Sequence, residues 1–113
     1  MRALLKGKGF QVSAKKVVHA TLTGEMLEEN RLTAYSSEGG IKVTYSEFSD
    51  GRKRLSIVIH GPKATRDREE KAILLGGRVD LNERERLYAV FDVRSKSHAE
   101  EIIDEILRGE NST

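Results

Sequence analysis

The stretch Arg86-Leu87-Tyr88-Ala89-Val90-Phe91-Asp92-Val93-Arg94-Ser95-Lys96-Ser97-His98-Ala99-Glu100-Glu101-Ile102-Ile103-Asp104-Glu105-Ile106-Leu107-Arg108-Gly109 decides the fold. Leu87, Ala89, Phe91 and Val93 alternate with Tyr88, Val90, Asp92 and Arg94. That period of two puts the first set on one face of a strand. Ser97-His98-Ala99-Glu100 follows, a hydroxyl with a Glu three residues on, the pattern of a reciprocal helix cap. Ala99, Ile102, Ile103, Ile106 and Leu107 then form one apolar stripe at helical spacing. Gly109 stands where a left-handed stop residue is wanted. The reading is a strand feeding an amphipathic helix over 98–108 that covers a sheet.

Working outward, Ile41, Val43 and Tyr45 alternate with polar residues, as do Leu55, Ile57 and Ile59. These predict a hairpin, 41–48 with 53–60. A two-residue Asp50-Gly51 turn would set the two apolar groups on opposite faces. A three-residue loop, Ser49-Asp50-Gly51, pairs Tyr45 with Leu55, Val43 with Ile57 and Ile41 with Ile59, all on one face. A one-residue slip would move a whole face into water, so register selects the longer loop, with Gly51 left-handed. A second hairpin is predicted from 73–81 and 87–94 with its turn at Asn82–Arg86. There Leu81 faces Leu87, Val79 faces Ala89, and Gly77 lies under Phe91.

The first forty residues read less sharply. Ala3–Leu5 and Phe10–Val12 flank a Gly7-Lys8-Gly9 turn. Lys16–Thr23 is rich in β-branched residues, which favours a strand. Val18, Leu22 and Met26 are four apart and Ser13 offers a cap, so 13–29 stays open between strand and helix. The preferred reading is strands at 16–23 and 31–36 joined by Gly24–Asn30. Lys63–Lys71 is a polar crossing after Pro62 with room for a short helical turn. The fold class is therefore α+β: six to seven mostly antiparallel strands packed by one C-terminal amphipathic helix, in a single compact β-rich domain, 1–109, with a frayed tail, 110–113. In architecture this order is similar to the pleckstrin-homology-like half-barrel, which also ends in an amphipathic helix. That helix holds no Trp here and no motif assigns the chain to that family.

A chain of 113 residues fits one domain and buries roughly two-thirds of the surface its unfolded form exposes. It holds no cysteine, which excludes disulfides, thiolate metal sites and cysteine nucleophiles. No apolar run approaches the roughly 20 residues of a membrane span, and the N-terminal apolar patch is too short for a signal peptide, so the expected location is the cytoplasm. Charged residues make up 34% of the chain while Gln11, Asn30, Asn82 and Asn111 are its only side-chain amides. That balance is one hyperthermophiles favour.

The charge is uneven. Residues 1–68 hold 13 Lys and Arg against 7 Asp and Glu; residues 69–113 hold 7 against 11. The basic half suggests an anion-binding face, or two halves that attract within or between subunits. Lys6-Gly7-Lys8-Gly9 resembles a phosphate-contacting loop, though without P-loop spacing, and is equally an ordinary turn. His19, His60 and His98 lack metal-ligand spacing, so no metal and no cofactor is expected. The acids, such as Glu83, Glu85, Glu101, Asp104 and Glu105, fall in turns or on the outer helix face. No Gly-x-Ser-x-Gly motif marks a nucleophile, and the chain reads as non-catalytic.

The functional expectation is a binding module that contacts nucleic-acid phosphates through Lys6, Lys8, Lys15, Lys16, Arg52, Lys53, Arg54, Lys63, Arg66 and Arg68. Phe10, Tyr35, Phe48 and Tyr88 are candidate exposed aromatics for single-strand stacking; Tyr45 and Phe91 belong to the core. The alternative is a protein-interaction or homodimerisation module. Clustering discriminates: one basic face favours nucleic acid, and bases interleaved with acids favour interaction.

Overall fold

In a computed structural model, which describes residues 1–82 and 85–110, six antiparallel strands form one open sheet. The strands are β1 (Gln11–Ala20), β2 (Met26–Tyr35), β3 (Ile41–Phe48), β4 (Lys53–His60), β5 (Arg78–Asn82) and β6 (Arg86–Asp92). Their spatial order is β1-β2-β3-β4-β6-β5, which leaves β1 and β5 as the edges. Among the described residues three α-helices accompany them, α1 (Arg2–Gly7), α2 (Arg66–Leu74) and α3 (Lys96–Ile106), with one turn of 3-10 helix at Gly61–Lys63. Among the described residues no helix is long and apolar enough to cross a membrane.

The central hairpin follows from side-chain phase. Tyr45 pairs with Leu55, Val43 with Ile57 and Ile41 with Ile59. Phe48 N–H donates to the Arg52 carbonyl at 2.8 Å, closing a loop of Ser49, Asp50 and Gly51, and Gly51 has φ +93°. The expected three-residue loop therefore forms. β4 continues the same phase into β6, with Leu55 opposite Phe91, Ile57 opposite Ala89 and Ile59 opposite Leu87. These residues are buried beneath Ala99, Ile102, Ile103 and Ile106 of α3, together with Leu5 and Phe10. Fully burying one such side chain contributes about 1.5–3 kcal/mol.

Several boundaries differ from the expectation. The helix begins at Lys96, two residues early, because Ser95 and not Ser97 caps it: Ser95 Oγ accepts the His98 N–H at 3.1 Å. The return bond also comes from another residue. His98 Nδ1 accepts the Arg94 N–H at 3.1 Å, while Glu100 pairs with the N-terminal ammonium of Met1. A ring nitrogen thus takes the place of the carboxylate of a capping box. The helix ends at Ile106 with Leu107 as its C-cap, two residues short of the expected Arg108, and Gly109 takes the expected left-handed conformation at φ +96°.

The strand expected at 73–81 starts only at Arg78. Ile73 and Leu74 close α2 instead. Thr65 Oγ1 caps that helix by accepting the Arg68 N–H, Asp67 and Glu69 lie in its first turn, and Gly76 with φ +90° turns the chain out of it. The alternation of Ile73 and Leu75 is incidental, since Ile73 and Leu74 point to solvent. The β5–β6 register is as read, Leu81 opposite Leu87 and Val79 opposite Ala89. Phe91 does lie over Gly77: a Cβ built there would stand 2.6 Å from the ring. The expected turn at Asn82–Arg86 lies in part, and the tail beyond 110 wholly, outside the described residues.

The N-terminal segment is helix, not strand, over 2–7; burial of Leu5 and the bond from Phe10 N–H to the Leu5 carbonyl hold it. Phe10 is buried rather than exposed. The open question at 13–29 resolves as strand, and both strands are longer than 16–23 and 31–36: the connection is only Thr21–Glu25 around Gly24. Val18, Leu22 and Met26, whose spacing suggested a helix, are all exposed. Glu110, assigned to the tail, accepts from Lys63 Nζ at 2.8 Å and from an Arg68 guanidinium nitrogen at 3.1 Å.

Candidate nucleic-acid interface on the open face of the sheet

Strand pleating sends alternate side chains to opposite faces, so the phase that fills the core also defines a second, uncovered face. Its central row consists of hydroxyls: Ser13 pairs with Thr33, Thr33 with Thr44 and Thr44 with Ser56. One row toward the hairpin end come Lys15, Arg31, Ser46, Arg54 and Asp92. One row the other way come Tyr35, Lys42, Val58 and Tyr88. Small hydroxyls between taller rows leave a trough of about 810 Å³ along this face.

The trough is aromatic and cationic. Tyr35 is 48% and Tyr88 39% exposed. Lys42 Nζ sits 5.6 Å above the Tyr35 ring, and the Arg52 and Arg54 guanidiniums lie 5.2 and 5.9 Å from the Phe48 ring centre. Such contacts hold cation and ring together at a solvent-facing surface. Lys15 and Lys42 have no carboxylate partner among the described residues, whereas Arg54 and Arg78 share Asp92 at 3.9 and 3.3 Å.

One carboxylate is sunk into this face. Glu29 on β2 is 3% exposed, the most buried charged residue described. Arg31 donates to it twice, Nε to Oε2 at 2.8 Å and a terminal nitrogen to Oε1 at 2.9 Å. Ser46 Oγ donates to Oε2, and His19 Nε2 lies 2.8 Å from Oε1. The Arg31 hydrogen bonds, aided by Ser46 and His19 and opposed by burial, hold the carboxyl down at about 2. Glu29 in turn raises the Arg31 guanidinium. With both oxygens occupied, Glu29 acts as a brace joining β1, β2 and β3 where the β1–β2 ribbon leaves the sheet.

The ten residues expected to form one basic surface do not share a face. Only Lys15 and Arg54 line the trough. Lys6 is on α1, and Arg52 and Lys53 are at the hairpin shoulder. Lys8 reaches Asp104 at 3.1 Å, Lys16 reaches Glu28 at 3.3 Å and Arg52 reaches Asp50 at 2.7 Å. Lys63 lies between Glu38 and Glu110, Arg66 contacts Glu69, and Arg68 contacts Glu110. These cations interleave with acids. The Gly7-Lys8-Gly9 loop is the C-terminal turn of α1.

Sequence reasoning missed Arg31, Lys42, Glu29 and the hydroxyl row. The signal was present: Leu27, Glu29, Arg31, Thr33 and Tyr35 alternate with Leu32 and Ala34, but a strand drawn from 31 hides its first half. The histidines are dispersed, and no group of three or more His, Asp or Glu among the described residues is placed to hold a metal. No protein-family model matches this chain, and no curated protein matches it.

Proposed function

We propose that the open face of the sheet binds single-stranded nucleic acid and does no chemistry on it. One observation carries the reading: Tyr35 and Tyr88 stand on a single row of that face, with Lys42 between them. The row spans three strand spacings, about 14 Å. Exposed rings accept unstacked bases of any identity, and interspersed cations follow the backbone. The bases of a duplex are already stacked, so single strands are the better ligand. Lys15 and Arg54 remain from the sequence-derived set; Lys42 and the tyrosines replace the others. The cytoplasm, expected from composition, is the compartment this role fits.

The test is fluorescence anisotropy of the intact chain with labelled single- and double-stranded DNA and RNA, over roughly 50–200 mM salt. Tyr35→Ala and Tyr88→Ala should each weaken single-strand binding by about 5- to 100-fold, the worth of one stacked base. Lys42→Ala should lower the salt slope by about one. No binding at the lowest salt, or equal weakening by Lys6→Ala/Lys8→Ala, would overturn the reading. The interleaving of Lys8, Lys16, Lys63 and Arg68 with acids favours the interaction alternative for those residues.

A further inference from the structure

We propose that the outer edge of β1 is a docking site for an acidic, extended segment of a partner protein, which adds to the sheet as a seventh strand. Three observations converge there. First, β1 is ten residues long and, among the described residues, pairs with β2 alone, so its outer side presents backbone donors and acceptors along roughly 33 Å. Second, its side chains carry Lys15, Lys16 and His19 and no acid; Lys16 reaches Glu28 and His19 reaches Glu29 on β2, while Lys15 has no carboxylate partner among the described residues. Third, its two faces differ. Toward the open face stand Gln11, Ser13, Lys15, Val17 and His19; toward the helix side stand Val12, Ala14, Lys16, Val18 and Ala20. On that helix side Ala14, Leu32 and Tyr45 border a groove of about 360 Å³, with Lys16, Lys96 and Glu47 also lining it.

A strand laid beside β1 would alternate in the same way. Its side chains on the open side meet Lys15, the edge cation left without a carboxylate among the described residues, and want to be acidic. Those on the helix side meet Ala14, Val18 and the groove and want to be apolar. Main-chain bonds supply the affinity of such strand addition and the alternate side chains its specificity.

Charge also selects against a second copy of this chain. In an antiparallel pairing of β1 with itself, a register centred on residue 15 sets Lys15, which has no carboxylate partner among the described residues, across from its own copy. Like charges directly opposite destabilise a strand pair. That register is thereby disfavoured, and Lys15 is left complementary to acid.

The test uses the full chain and two labelled ten-residue probes, one alternating Val and Glu, the other alternating Val and Lys. Anisotropy should show saturable binding of the Val-Glu probe, about tenfold or more tighter than the Val-Lys probe. Hydrogen exchange should show new protection of β1 amides in the complex. The exposed double variant Lys15→Glu/Lys16→Glu, with its fold checked by circular dichroism, should reverse the preference; Lys15→Ala/Lys16→Ala should abolish it. Equal binding or no binding of both probes overturns the proposal, as does protection away from β1. A doubled mass with β1 protected in the absence of either probe would make the occupant a second copy and also overturn it.

Discussion

Replacing Glu29 with Gln tests the brace at the base of the ribbon. The wild-type carboxyl titrates at about 2 against an ordinary 4.5. That lowering of about two and a half pH units corresponds to ~3 kcal/mol of folding stability at neutral pH. The sign follows from its direction. Above about 4.5 the carboxylate is ionised in folded and unfolded chains alike, and the stabilisation is fully present. As pH falls through that value the unfolded chain takes up the proton first, and the contribution drains away until about 2. Glu29→Gln keeps the size of the side chain but cannot satisfy Arg31 twice as an anion. Breaking a buried pair costs about 3–5 kcal/mol where the survivor stays dry. The Arg31 and His19 side chains are 33% and 42% exposed, so water recovers part of that loss and about 2–3 kcal/mol is expected at pH 7. Urea denaturation of both proteins at steps from pH 7 to about pH 2.5 measures the difference. It should narrow steadily below pH 4.5. A difference that stays constant with pH, or Glu29→Gln matching wild type at pH 7, would refute the electrostatic account of this cluster.

Four further substitutions probe the fold. Gly77→Ala drives a methyl into the Phe91 ring and should cost about 1–3 kcal/mol in a thermal or urea melt, with the near-ultraviolet signal altered as the ring moves. Gly51→Val sets a β-branched residue at φ +93°, and a loss of about 1–2 kcal/mol is expected in the same melts; an unchanged midpoint would mean the loop has another conformation. Ile103→Ala, at a fully buried position on α3, should lose about 2–5 kcal/mol, while the exposed Glu101→Ala should stay within about 0.5 kcal/mol of wild type. Similar melts for those last two would show that α3 does not seal the core.

The parts of the fold legible in the sequence are those where one face is buried. Ile41, Val43 and Tyr45 against Leu55, Ile57 and Ile59 fix the phase of the hairpin, because a one-residue slip turns one of the two sets to water. The stripe on α3 is equally constrained. Legibility fails where burial is weak. Val18, Leu22 and Met26 are exposed on a two-stranded ribbon, so their spacing reports no packing. Ile73 and Leu75 mimic a strand, but the Thr65 cap and Gly76 decide for a helix. The helix start shifts because Ser95 and Ser97 are both competent caps, and only the chain's path out of β6 chooses between them. The candidate site was half visible. Tyr35 and Tyr88 could be named as exposed aromatics from sequence. Their alignment with Lys42 depends on strand pairing, which no single strand encodes. The lysine-rich runs were misleading for the opposite reason: Asp104, Glu28 and Glu110 come to them only through the tertiary fold.

The β1–β2 ribbon outruns β3. Val18, His19 and Ala20 pair with Glu28, Leu27 and Met26, and β3 begins its pairing only at Glu29. Beyond the Glu29 brace, two strands support each other with little apolar surface out of water. Stability within one domain is graded by such local density. The tip therefore opens and recloses while the sheet behind it stays intact, and its amide hydrogens trade with solvent through that motion rather than through global unfolding. A protease that cut at Thr21–Glu25 would sever the chain without scattering it: the two pieces stay zipped through β1 and β2, and the rest of the sheet does not register the cut.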